Sequence, residues 1–436
     1  MSEWKHLKIG DLVNPEKHSC VGGPFGSNLV SEDYIDAPGI PVIRGNNFVL
    51  GSRYFYDKGF VFVSEEKADS LFQNTAYPGD LVFTQRGTIG NVALIPNDSK
   101  FPKYILSQNL MKLSVDSEKA DQRFICYYFL SPKVQQIITR NSVGSTIPGF
   151  NLTQLRDFPV SLPSLKEQTE IADILFGLDR KISNLRQQNE TLEAIAQTLF
   201  KHWFVDFEFL NEDGKPYKSS GGEMVRSELG EIPAGWNVGK LGEVADVKSS
   251  KRIFLSEYVE LGIPFYRSKE IIELSSGQEI STLLYISEER FREIESKFGA
   301  PEVGEILVTS VGTIGVTYIV SSRDKFYFKD GNLTWIKNFR GGFNGVIVYY
   351  WLKSDSARNQ IEQNTIGSTQ KALTIQALSG LNIILSDSKV LSRYRDFVES
   401  IHNKRESNTQ KIQTLTKARD VLLPKLMSGK LRITAS

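Results

Sequence analysis

Residues able to carry out chemistry are sparse in this 436-residue chain. Its four scattered histidines (His6, His18, His202, His402) and two cysteines (Cys20, Cys126) stand in none of the spacings that hold zinc. No Gly-x-x-x-x-Gly-Lys-Ser/Thr loop is present to cradle a nucleoside triphosphate. Nor is there an Asn-Pro-Pro-Tyr-like segment or a Rossmann glycine fingerprint to suggest a complete adenine methyltransferase. Glu302 and Glu305, next to the apolar run Ile306-Leu307-Val308, faintly echo a nuclease carboxylate pair. No lysine completes that pattern, and the first half offers only Asp80. Few histidines beside many serines argue against a hydrolytic triad. The two Gly-Thr-Ile-Gly segments, at 87–90 and 312–315, could bind phosphate through backbone N–H groups. A tight turn that needs positive φ is the commoner use of such glycines. Catalysis is expected to reside in another chain.

Composition sets the class. With 52 basic against 51 acidic residues, 40% hydrophobic and 24% charged, the chain reads as an ordinary globular protein of two or three domains. A net charge of +1 gives no nucleic-acid signal by itself. No apolar run approaches the ~20 residues of a bilayer span. The polar first residues lack the apolar stretch of a signal peptide. Two cysteines are too few for a disulfide framework, so a reducing cytoplasm is expected.

The chain is written twice. Gly39-Ile40-Pro41 with Arg44 returns as Gly262-Ile263-Pro264 with Arg267, 223 residues on. Asn109-Leu110 returns as Asn332-Leu333, and Asn141 to Thr146 as Asn364 to Thr369, at the same offset. The Gly-Thr-Ile-Gly segments are 225 apart, and Trp4 with Lys8-Ile9-Gly10-Asp11 parallels Trp236 with Lys240-Leu241-Gly242-Glu243. One offset held over so many segments is a duplication. Each half reads as a glycine-punctuated β-rich region, with hairpins expected at Val82-Phe83-Thr84 and Leu307-Val308-Thr309. A helix is expected near Phe124–Ile138 and its repeat near Gly345–Gln360, and each half ends in a longer helix.

Those longer helices carry a heptad seam. Ile171, Leu175, Leu178, Ile182, Leu185, Asn189, Leu192, Ala196 and Leu199 alternate spacings of four and three. The offset places Ile401, Arg405, Asn408, Ile412, Leu415, Arg419 and Leu422 on a matching seam. Antiparallel packing of the two helices would bring Asn189 to Arg405 and Asn408, whereas parallel packing would set each against apolar residues. Trp203, Phe204 and Phe207, at a helix end, read as core packing. Asn211 to Pro233, rich in Gly and Ser, reads as a linker. Two modules on a rigid helical spacer could meet one face of a duplex about one helical turn apart. Because their side chains differ, they would read two different half-sites across an unread gap.

Several segments stand in a telling order. Leu162-Pro163-Ser164-Leu165-Lys166-Glu167-Gln168 leads into the first seam, and Leu199-Phe200-Lys201-His202-Trp203-Phe204-Val205-Asp206-Phe207 closes it. Glu223-Met224-Val225, Ser227 through Pro233 with Trp236, and the tail Leu422-Leu423-Pro424-Lys425-Leu426-Met427-Ser428-Gly429 follow. With them, over nearly its whole length, the sequence resembles the specificity subunits of type I restriction–modification systems. The second half departs from the pattern, with Ser386-Asp387-Ser388-Lys389-Val390-Leu391 where the first has Pro163 to Gln168. The resemblance implies an α+β, pseudo-two-fold protein with two tandem, similar, β-rich α/β target recognition domains (1–163 and 236–386). Between and after them lie a central long helix (164–207), a linker (208–235), and a distal long helix with its tail (387–436), the two helices forming an antiparallel coiled coil. It further implies a non-catalytic subunit that binds double-stranded DNA, two modification (methyltransferase) subunits and two restriction (translocase and nuclease) subunits. S-adenosylmethionine, ATP and Mg belong to those partners, and none is expected in this chain. A self-contained DNA-modifying enzyme and a coiled-coil scaffold with two protein-binding modules are the alternatives.

On that reading, base contacts call for Arg toward guanine and Asn or Gln toward adenine, with hydroxyls and amides toward phosphate. The first module offers Ser27, Asn28, Arg44, Asn46, Asn47, Gln85, Arg86, Thr88, Ser107, Gln108, Asn109, Ser142, Ser145 and Thr146 on its glycine-bounded loops. The second offers Arg267, Ser268, Lys269, Ser310, Thr313, Lys329, Asn332, Ser368, Thr369, Gln370 and Lys371. Loop Asn and Ser also cap turns. The matched Arg44 and Arg267 suit either a shared phosphate contact or a shared salt bridge. Arg86 falls beside Val311, a difference of the kind that would specify different half-sites.

Overall fold

The computed structural model describes residues 4–36, 38–48, 55–87, 89–142, 149–278, 280–367 and 371–433, without the side chains of 141 and 142. The chain forms two compact units, Met1–Ser183 with Gln413–Ser436, and Asn184–Ile412. Each contains one module and a stretch of both long helices.

In the first unit, β1 (Lys5–Lys8) pairs with β10 (Pro159–Leu162). One four-stranded sheet runs β2 (Cys20–Gly22), β9 (Leu110–Leu113), β6 (Leu81–Thr84), β7 (Val92–Leu94). The other runs β4 (Val61–Val63), β3 (Ile40–Ile43), β8 (Tyr104–Leu106), β5 (Thr75–Ala76), with β3 and β8 parallel. The second unit repeats the plan. After the hairpin of β11 (Met224–Ser227) and β12 (Gly230–Pro233), β13 (Asn237–Lys240) pairs with β22 (Asn382–Leu385). One sheet is β14 (Asp246–Lys248), β21 (Leu333–Lys337), β18 (Ile306–Thr309), β19 (Thr317–Ile319). The other is β15 (Tyr258–Val259), β17 (Leu284–Ile286), β16 (Ile263–Tyr266), β20 (Tyr327–Phe328), again with one parallel pair, β16 and β20. The sheets differ only at an edge: β5 flanks β8 in one unit and β15 flanks β17 in the other. The expected hairpins are β6–β7 and β18–β19. Their glycines, Gly87, Gly90, Gly312 and Gly315, all have φ between +78° and +87°, so the turn itself accounts for them.

Each helix expected after the sheets is two helices. Gln122–Leu130 breaks before Pro132–Ser142, because proline drives Ser131 into extended backbone (ψ 139°). Gly345–Leu352 breaks before Asp355–Gln363, where Ser354 is extended and its side chain accepts from the Ala357 amide. The Asn211–Pro233 stretch, expected as a linker, is folded. Phe209 stacks between Tyr217 and Trp236 with centroids 4.7 and 4.9 Å away, and β11–β12 follows.

The central helix spans Leu165–Phe204 and the distal helix Ser388–Met427. Their starts are built differently. Gln168 accepts from the Asp121 amide (3.1 Å) and donates to the Pro163 carbonyl (3.1 Å), and Glu167 pairs with Arg432 (2.7 Å). The distal helix instead begins after Asp387, whose carboxylate accepts from the Lys389 amide at 2.8 Å. Val390 and Leu391, at the Glu167 and Gln168 positions, go into apolar core. The missing motif is therefore replaced by an acidic cap and apolar packing.

Within each unit the two helices run antiparallel. In the first, Ile171 and Leu175 share a core with Leu423, Leu426 and Met427. Asp179 Oδ1 accepts from Arg419 Nη1 at 2.7 Å, and both side chains are nearly sealed (3% and 7% exposed). Asp179 Oδ2 accepts from the Tyr127 hydroxyl at 2.7 Å, fastening the Gln122–Leu130 helix to the pair. In the second unit Asn189 Nδ2 donates to Thr409 Oγ1 (3.2 Å) and the Arg405 carbonyl (3.3 Å), and Asn408 donates to Gln188 (3.3 Å). The polar seam residues meet as antiparallel packing requires. Glu193 adds ion pairs with Arg405 and with Lys353, the latter at 2.6 Å. Trp203, Phe204 and Phe207 are buried, with Phe204 against Trp236 and Tyr394.

Arg419→Leu removes the cation from a nearly sealed carboxylate. Urea melts should show a loss of about 3–5 kcal/mol, most of it regained when Asp179→Leu is added. A single variant as stable as the parent would contradict this role for the pair.

Candidate nucleic-acid interface

The strand ends bring candidate loops of each module together. In the first, β3 and β8 end together, with the Ser107 amide donating to the Ile43 carbonyl at 3.0 Å, so Arg44 and Ser107 are neighbours. The Gln85 amide donates to the Asn109 carbonyl (2.7 Å), and the Phe150 amide to the Gln85 carbonyl (3.1 Å). Gln108 Nε2 donates to the carbonyls of Gly26 and Leu29, both at 2.7 Å, tying down the loop that carries Ser27 and Asn28. The second module repeats these bonds: Lys329 amide to Tyr266 carbonyl (2.8 Å), Ser310 amide to Asn332 carbonyl (2.8 Å), and Leu373 amide to Ser310 carbonyl (2.9 Å). The duplication thus extends to the individual hydrogen bonds that position these loops.

Side chains on this shared frame divide into exposed and engaged. Ser27, Asn28, Asn46, Arg86, Gln108 and Asn109 are exposed, as are Lys269, Thr313 and Lys371. Gln85, Ser107, Ser268, Lys329 and Asn332 are half-buried, with the Ser268 hydroxyl donating to the Asn332 carbonyl (3.2 Å). Asn47 and Ser310 are engaged inside the protein. Asn47 is fully buried, accepting from the Arg44 amide (2.9 Å) and donating to the carbonyls of Tyr56 and Lys58 (3.0 Å each). Ser310 is buried against Thr334, hydroxyl to hydroxyl at 2.6 Å. Both are turn and sheet braces. Thr88, Ser145, Thr146, Ser368, Thr369 and Gln370 lie outside the described residues, as does the side chain of Ser142, which ends a helix.

The matched arginines are not equivalent. Arg267 Nη2 donates to Glu270 Oε1 at 2.6 Å, and its amide and Nε both donate to Oε2 (2.7 and 3.2 Å). Glu270 is wholly buried, and its bond holds the guanidinium above its ordinary pKa. At the position of Glu270 the first module has Asn47, which keeps the backbone cap and offers no charge. Arg44 Nε is buried without a hydrogen-bond acceptor among the described residues. The salt-bridge reading therefore holds for Arg267, while the Arg44 cation remains available to a ligand.

The acidic residues that faintly suggested a nuclease are braces as well. Asp80 accepts from the Tyr77 amide (2.8 Å) and pairs with buried Lys112 (3.0 Å). Its counterpart Glu305 accepts from the Glu302 amide (2.8 Å) and from Trp335 Nε1 (2.7 Å). Nothing in the sequence pairs Asp80 with Lys112 until β6 and β9 are seen to be neighbours. Phe25, which the polar base-contact reasoning passed over, stands exposed on the Gly26 loop.

Arg267→Ala should lower stability by about 1–3 kcal/mol by stripping a buried carboxylate of its partner. Arg44→Ala should leave the melt nearly unchanged, weaken binding to duplex DNA, and reduce the salt slope of log K by about 1. The opposite pattern in melts and salt titrations would refute this division.

Comparison with known proteins agrees with this arrangement. A family model described as the type I restriction modification DNA specificity domain matches twice, at residues 1–194 and 233–417. Similar proteins include the type I restriction enzyme MjaIX specificity subunit of Methanocaldococcus jannaschii, 26% identical with 99% of this chain and 94% of that protein covered. The HindI specificity subunit of Haemophilus influenzae is 22% identical, with coverage of 99% and 100%. In fold the chain is similar to the crystal structure of the type I restriction–modification S subunit from M. genitalium, with a TM-score of 0.59, 16% identity, and 99% and 97% of the two chains covered. With its two modules both matched, this chain belongs to the type I restriction–modification DNA specificity family.

Proposed function

We propose that this chain is the sequence-reading subunit of a type I restriction–modification assembly, acting in the cytoplasm. Each module reads one half of a bipartite, asymmetric DNA site. The long helices set the unread gap and dock two modification subunits, which methylate adenine N6 in the two halves. Two restriction subunits join through that complex. The chain is non-catalytic and holds no cofactor: S-adenosylmethionine, ATP and Mg serve the partners. Its near-neutral charge suits such a division, with partners supplying much of the phosphate clamp and this chain the base edges.

One observation carries the reading. Two modules with the same core strand order and the same loop-positioning hydrogen bonds present different side chains at matched points: Arg86 against Val311, and Asn47 against Glu270. A frame kept constant while its loop chemistry diverges is what two different half-sites require. Among the described residues no helix is long and apolar enough to cross a membrane.

Exchanging residues 1–160 for the first module of another family member should change one half-site of the methylated sequence and leave the other intact. A change in both would show that the modules do not read independently. Adding one heptad at matched positions of both long helices should lengthen the gap and keep both half-sites. A gap of unchanged length would remove the helices from the spacer role.

A further inference from the structure

The two modules differ in the loop that follows their first core strand. Strand register makes Val21 the counterpart of Lys248, since Val21 faces Lys112 and Lys248 faces Trp335, the repeat of Lys112; Gly22 and Ser249 follow them. On the far side of the loop, Leu29 matches Ile253. The next residue in each case has its amide capped by an acid three positions on, Asp33 to Val30 and Glu257 to Phe254. That acid is paired in turn with Lys67 or Arg290. Between these anchors the first module has six residues, 23–28, and the second only three, 250–252.

The longer loop is held rigidly. Gly23 lies so close to the Ser107 carbonyl that an added Cβ would sit 2.0 Å from it, and its amide donates to the Leu110 carbonyl at 2.7 Å. Pro24 is buried. The Gln108 amide group grips both Gly26 and Leu29. The second module has neither the insertion nor the grip. In the place of Gln108, between the counterparts of Ser107 and Asn109, it has Asp330 and Gly331, and its short loop ends on Arg252, paired with Asp330 at 2.8 Å. At the tip of the longer loop stands Phe25, 88% exposed, the most exposed large apolar side chain among the described residues. It adjoins Ser27 and Asn28 on the loop held by Gln108, among the loops assigned above to base reading.

A braced loop that presents an aromatic ring to water is placed to meet an apolar group. We propose that Phe25 is a base-reading residue of the first module, packing on the 5-methyl group of a thymine in that module's half-site. The thymine methyl is the apolar group that base pairs present in the major groove, and contacting it requires no unstacking. This assignment rests on the DNA-reading role proposed above and gives the two half-sites an asymmetry beyond polar contacts: one is read in part by an apolar contact, the other lacks its counterpart.

The test uses the full chain assembled with its modification subunit and a duplex library carrying a randomised stretch. The parent should select a bipartite sequence with a thymine in one half-site. Phe25→Ala should lose the preference at that base and bind the parent's target about tenfold more weakly, with the other half-site and the melting temperature unchanged. Gln108→Ala, which frees the loop, should lose the same preference. Replacing that thymine by uracil should weaken the parent by a similar factor and leave the Phe25→Ala variant unaffected. Unchanged selection by Phe25→Ala, or a parent indifferent to uracil, overturns the proposal while leaving the recognition function intact. A parent complex that selects no sequence overturns both.

Discussion

A buried carboxylate cannot remain charged in a helix seam without a cation, and this constraint sets how the chain pairs. Asp179 lies on the central helix where an apolar residue would pack, and Arg419 on the distal helix meets it at 2.7 Å. Ten positions further along the central helix, Asn189 meets Thr409 and the Arg405 carbonyl, and Glu193 meets Arg405. Within each unit these contacts fix an antiparallel register. A shift by one heptad would set Asp179 against Leu426 or Ile412, at the full desolvation cost of an unpaired charge. Apolar seams alone tolerate such slips, and polar residues exclude them.

Each unit is completed by the register. The first module's core includes Leu423, Leu426 and Met427 from the end of the distal helix, and Arg432 of the tail covers the Glu167 carboxylate and lies over Trp4. The second module's core includes Phe200, Trp203 and Phe204 from the end of the central helix. On this frame the reading loops diverge. Matched backbone hydrogen bonds set their frame, so Arg44 and Arg267 occupy one geometry while Asn47 or Glu270 decides whether the cation is available. A module of this kind can change what it reads without changing how it folds.

Much of the architecture was legible because it is written in periodicity. The repeat at 223 residues, the heptad seam and the glycine-bounded hairpins depend on local spacing, and the meeting of Asn189 with the distal helix followed from polarity in that spacing. Other features depend on contacts distant in sequence. The partner of Asp179 is 240 residues away, and its position off the assigned seam hid it. The helix breaks at Ser131 and Ser354 are local, yet the apolar pattern runs through them and masks the capping serine. The stretch 211–233 has linker composition, but Phe209 and Tyr217 anchor it. In the candidate interface, most of the described candidate side chains are exposed or half-buried, but residue type alone did not show which ones a neighbour engages. Asn47, Ser310 and Arg267 have the chemistry for DNA contacts, and each is engaged by a neighbour that only the folded sheet edge reveals.

The central claim is that this chain supplies sequence while another supplies catalysis. Methylome sequencing of cells expressing the chain with and without its cognate modification subunit tests it most directly. The account predicts a new bipartite motif with N6-methyladenine in both halves, present only when both proteins are expressed. Methylation from this chain alone, or methylation by the pair without a bipartite motif, would contradict it.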